Sequence, residues 1–106
     1  MTQSPIPIVR VDEWELRRIF NEERLEERAA SGEIQLTVIH RGIPASDKQE
    51  PQGTESQAVS FRDSNGNELA RGHRYLRPDM TLGASGKIDP KRVLKDGQLY
   101  RLAKKP

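Results

Sequence analysis

Cysteine is absent from the 106 residues, which excludes a disulfide framework and a thiolate metal site. Aromatic residues are scarce, with one Trp, two Tyr and two Phe, and hydrophobic residues make up 33% against 32% charged. The core such a chain can build is small and its stability modest. No apolar run approaches the roughly 18 residues of a membrane span, and MTQSPIPIV has neither a basic start nor a cleavable apolar stretch. The expectation is one domain over 1–106, cytoplasmic, with no membrane partner.

What is present is charge, unevenly placed. Residues 1–35 carry five basic and eight acidic side chains (−3), residues 36–70 three and five (−2), and residues 71–106 ten and three (+7). The last third also holds ARGHRYLRPDMTLGASGKIDPKR, residues 70–92, where basic side chains crowd around three Gly. A positive field next to a Gly-rich loop attracts phosphates; a basic tail kept for solubility reads the same way.

Residues 1–10 contain SPIPIV and read as an extended arm. Asp12 followed by Glu15 forms a capping-box pattern, with Val11 and Leu16 at the staple positions, and Gly32 supplies a left-handed cap. The spacing predicts one helix from about residue 13 to about residue 31. Its apolar side chains fall on two sides, Leu16, Ile19 and Phe20 on one and Trp14, Leu25 and Ala29 on the other. The second side is a candidate contact for a protein partner or for self-association through Trp14 and Leu25.

EIQLTVIH, residues 33–40, alternates as a half-buried strand with Ile34, Leu36 and Val38 on one side, and residues 42–56 read as a flexible surface loop. AVSFRDS and NELARGHRYL flank Asn65-Gly66 as a hairpin. With Asn65 and Gly66 central, Arg62 faces Leu69, Phe61 faces Ala70 and Val59 faces Gly72. This puts Val59, Phe61, Ala70 and Gly72 toward the helix and Arg62, Arg71, His73 and Tyr75 on the other side. Asp89 before Pro90 signals a second, short helix ended by Gly97, and QLYRL is a last short strand whose phase is open. The fold class is α+β: an N-terminal helix on a mainly antiparallel sheet of about four strands, plus a short C-terminal helical turn.

GASGK, residues 83–87, fails as a nucleotide-binding loop because Thr81 stands where a Gly is needed and Ile88 where a Ser or Thr is needed. Lys87, Lys91 and Arg92 around a helix start at Asp89 could instead converge on one phosphate. Arg71, Arg77 and Tyr75 are spaced to follow a backbone and to stack one base. His40 and His73 are the only candidates for acid and base, but His40 follows Val38 on the core phase while His73 takes the opposite face. No catalytic residue, metal site or cofactor is assigned. The reading is a small non-catalytic nucleic-acid-binding module, RNA before DNA, through Arg71, His73, Tyr75, Arg77, Lys87, Lys91 and Arg92. A protein-interaction or inhibitor module using the acidic helix, and a small metal-independent ribonuclease, are the alternatives.

Overall fold

A computed structural model describes residues 5–44, 50–84 and 86–103. Asp12 caps the first helix as its sequence implies: its Oδ1 accepts the Glu15 amide at 2.8 Å, and α1 runs Glu13–Glu22. The single helix expected to residue 31 is bent, because Arg24 takes a left-handed conformation (φ 54°) and α2 restarts at Leu25–Ala30. That bend has a packing consequence. It turns Leu25 inward, where it is buried with Leu16, Ile19 and Phe20, so Leu25 is a core residue and leaves Trp14 exposed without it.

The strands are β1 (Ile8–Val11), β2 (Gln35–Pro44), β3 (Glu55–Arg62), β4 (Glu68–Leu76), β5 (Asp89–Lys95) and β6 (Gln98–Leu102). They form one mixed sheet in the order β1-β6-β5-β4-β3-β2, parallel between β1 and β6 and antiparallel elsewhere. The α+β class therefore stands, while the expected four antiparallel strands are six in a mixed sheet. The N-terminal arm supplies one of the additional strands, with the Leu99 amide donating to the Pro7 carbonyl at 2.9 Å and Ala103 to Val11 at 2.8 Å. The expected loop at 42–56 is trimmed at both ends by β2 and β3, and residues 45–49 lie outside the described residues.

The C-terminal helical turn is corrected to β5. Pro90 opposes Gly72 in the ladder, Lys91 is the extra residue of a bulge, and Val93 packs into the core with no exposure. Asp96 and Gly97 take φ values of 51° and 76° between the paired residues Lys95 and Gln98. This is the two-residue hairpin turn that an Asp-Gly pair favours, not a helix end. Gly72 has no room for a side chain there: a Cβ would approach Ile88 Cγ2 to 2.6 Å and the Asp89 carbonyl to 3.0 Å.

Register then fixes the two faces. Phe61 opposes Ala70 and Val59 opposes Gly72, as the sequence implies, although the turn lies one residue earlier and Arg62 opposes Glu68 through a bulge. Opposed residues project to the same side of a sheet. One rung across all six strands is therefore Val9, Tyr100, Val93, Ala70, Phe61 and Leu36. It faces α1, where Phe20 meets Phe61 edge to face at 5.6 Å.

Candidate functional site

The adjacent rung faces away from the helix and reads Arg10, Arg101, Arg92, Arg71, Ser60 and Thr37. Four arginines stand on four neighbouring strands whose backbones lie about 4.8 Å apart, so their rung spans roughly 14 Å of sheet. Arg62 joins them from β3, its Nε donating to Ser60 Oγ at 3.2 Å. No second layer of described residues covers this side; the long side chains roof it themselves, which is how Ser60 comes to be fully buried.

One carboxylate sits among these cations. Glu68 Oε2 accepts from Ser60 Oγ at 2.6 Å and from Arg71 Nε at 2.7 Å, while its Oε1 accepts from Arg92 Nε at 3.0 Å. Burial pulls the Glu68 carboxyl upward, but the hydrogen bonds from Ser60, Arg71 and Arg92 outweigh it and hold the group below its ordinary range. Arg71 and Arg92 are thereby oriented and half compensated. Arg10 has one polar contact, a bond from Nη1 to the Leu102 carbonyl at 3.2 Å, and neither Arg10 nor Arg101 enters an ion pair among the described residues.

The next rung on the same face is His40, Ala58, His73 and Asp89. A bulge between Val38 and His40 inserts Ile39 and reverses the phase, so the expectation that His40 shares the core side with Val38 is corrected. His73 Nε2 and Ser56 Oγ share a hydrogen bond of 2.5 Å, and the imidazole meets Tyr75 edge to face at 4.8 Å. Desolvation first, and the Lys91 charge second, depress the His73 pKa against the opposing pull of Asp89, so the ring is neutral at physiological pH.

The residues expected to bind anions thus separate. Arg71, His73, Tyr75 and Arg92 share the helix-free face. The Arg77 side chain is engaged elsewhere: its Nε donates to Glu50 Oε2 at 2.8 Å, and Glu50, only 5% exposed, also accepts the Ala84 amide at 2.6 Å. The Arg77 side-chain bond and then the Ala84 amide lower the Glu50 pKa. The Gly-rich loop therefore already holds an anion, an internal one. Lys87 is exposed on that loop. Lys91, at the bulge, lines a groove of about 370 Å³ with Trp14, Arg17, Glu13 and Asp89. Asp89 caps no helix; it takes an ion pair from Arg17 Nη2 at 3.0 Å, and Arg17 Nη1 donates to the Ile88 carbonyl at 2.7 Å, fastening α1 to β5.

Arg10 and Arg101 were not legible as site residues. One lies in the arm, the other in a strand of open phase, and only their register, Arg10 beside Arg101, brings them to Arg92. No family model, curated protein or solved structure matches this chain.

Proposed function

We propose that the chain is a nucleic-acid-binding module that takes a single strand, RNA before DNA, on the helix-free face of its sheet. The observation that supports this most is the rung Arg10, Arg101, Arg92 and Arg71, in which cations from strands distant in sequence gather on one uncovered surface. Phosphate contacts supply most of the affinity of such a surface. A flat sheet suits an unpaired strand whose bases can lie against it, with Tyr75 and His73 as the ring surfaces, whereas a duplex major groove takes a helix or a narrow ribbon. Lys87 and Lys91 extend the positive field beyond the sheet edge of the loop.

The test is a titration with an unstructured RNA oligonucleotide and with duplex DNA at low and moderate salt, followed by amide shifts. The expected result is RNA-induced shifts along β4, β5 and β6 centred on Arg71, Arg92 and Arg101, fading as salt rises. Absence of shifts on that face at low salt overturns the reading.

A further inference from the structure

The bulge in β2 creates an arrangement that a regular strand would not. His40 and His73 stand on the same rung on either side of Ala58, two strand spacings apart, or roughly 10 Å between their backbones. The residue between them, Ala58, carries only a methyl group, so by register the two histidine positions stand on either side of a notch in this face. Arg71 lies two residues along β4 from His73, about 7 Å away on the same face, and Tyr75 lies two residues the other way. By register the notch has a histidine on each side, Arg71 at one end and Tyr75 at the other.

Resting on the reading of this face as an RNA surface, we infer that the notch between His40 and His73 cleaves the RNA backbone, with His73 as general base and His40 as general acid. When Nε2–H of His73 donates to Ser56 Oγ, Nδ1 carries the free lone pair. A ribose 2′-hydroxyl gives its proton to that Nδ1 as its oxygen bonds to the adjacent phosphorus. The bond from phosphorus to the 5′-oxygen breaks, and the leaving oxygen takes a proton from protonated His40. The products are a 2′,3′-cyclic phosphate and a 5′-hydroxyl, with one proton moved from His40 to His73 and no other reactant consumed. Arg71 meets the negative charge that builds on the phosphate oxygens. The depressed pKa of His73 favours the neutral ring that can accept, while His40 lies exposed on the edge strand, open to solvent.

The test uses the full chain with a chelator present and a DNA oligonucleotide containing a single ribonucleotide, alongside its all-DNA counterpart. The expected result is cleavage only after the ribonucleotide, leaving a cyclic phosphate end. His40→Ala and His73→Ala should each lower the cleavage rate by about 100-fold or more, general acid or base assistance being worth that much, and His40→Ala should do so with binding affinity changed by no more than a few-fold. His40 is exposed, so its replacement leaves the fold intact and keeps the test clean. Binding without cleavage, or cleavage that survives both substitutions, overturns the inference and leaves the binding surface standing. Absence of binding to either oligonucleotide removes both.

Discussion

Phe61 and Ser60 are neighbours in β3, yet Phe61 sits among Phe20 and its fellow core residues while Ser60 lies under the arginines of the opposite face. The charges on the two sides are handled as differently as the apolar groups. On the helix layer, Arg18 pairs with Glu15 and Glu22, Arg24 with Glu27, and Lys95 with Glu22. Helical spacing puts most of those partners one turn apart, so that layer largely neutralises itself locally. On the helix-free face Arg71 and Arg92 share the carboxylate of Glu68, while Arg10 and Arg101 enter no ion pair among the described residues. Unlike charges are paired by periodicity on a helix; like charges are assembled by register on a sheet, and the excess leaves a positive field on that face.

The comparison breaks most visibly at the core. Phe61→Ala removes a ring with no exposure from the helix-facing rung and should cost about 3–5 kcal/mol in urea unfolding. If an equal loss follows Arg101→Ala on the other rung, the two faces are not distinct.

Glu68→Gln sharpens the contrast, because its two effects have opposite signs. Weakening the charge-assisted bonds from Arg71 and Arg92 should destabilise the fold by about 2 kcal/mol. The same change releases two guanidiniums and should tighten RNA binding several-fold at low salt; weaker binding would mean that Glu68 is needed to aim them. Its pH dependence follows from the direction of its shift. With the folded pKa below the ordinary value, the contribution is fully present above the unfolded carboxylate pKa of about 4.3 and is lost as pH falls through the folded value. Acid unfolding of Glu68→Gln should therefore be shallower than that of the parent chain between about pH 5 and the acid limit.

Reversing the two cations that enter no ion pair among the described residues, Arg10→Glu with Arg101→Glu, should leave stability within about 0.5 kcal/mol while weakening RNA binding at least tenfold. The slope of log affinity against log salt should fall by about 1.4, or 0.7 for each lost phosphate contact. An unchanged slope would remove those two residues from the surface. The smallest effect is expected at Trp14, which is 86% exposed: Trp14→Ala should alter stability by less than about 0.5 kcal/mol and RNA binding not at all. A large loss of either would show that the helix layer carries function as well.

How much of this was legible follows the reach of each signal. Asp12 as a cap, and Val59, Phe61, Ala70 and Gly72 as one face, depend on residues a few positions apart and came out as the pattern implies. Asp89-Pro90 was misread as a helix start because the local motif is real; only the Asp96-Gly97 turn behind it and the core position of Val93 decide for a strand. Ile39 can be read as the continuing alternation or as an inserted residue, and pairing with Ala58 and Val59 selects the insertion. The arginine rung was invisible because its members come from residues 10, 71, 92 and 101, and no window of sequence contains them together.

The parallel pairing of β1 with β6 also sets an order of assembly. Every other neighbouring pair of strands is consecutive in the chain, so its contacts close short loops, whereas Ile8 must find Leu99 about 90 residues away. Closing that loop costs the most chain entropy for a strand of four residues. The five-strand meander can zip from its hairpins first, and β1 docks last, as the step that brings Arg10 beside Arg101. By the same reasoning it is the first strand to leave under denaturant, so fast hydrogen exchange in the pairing of β1 with β6 would report the arrival and loss of the rung's last guanidinium, well before the core opens.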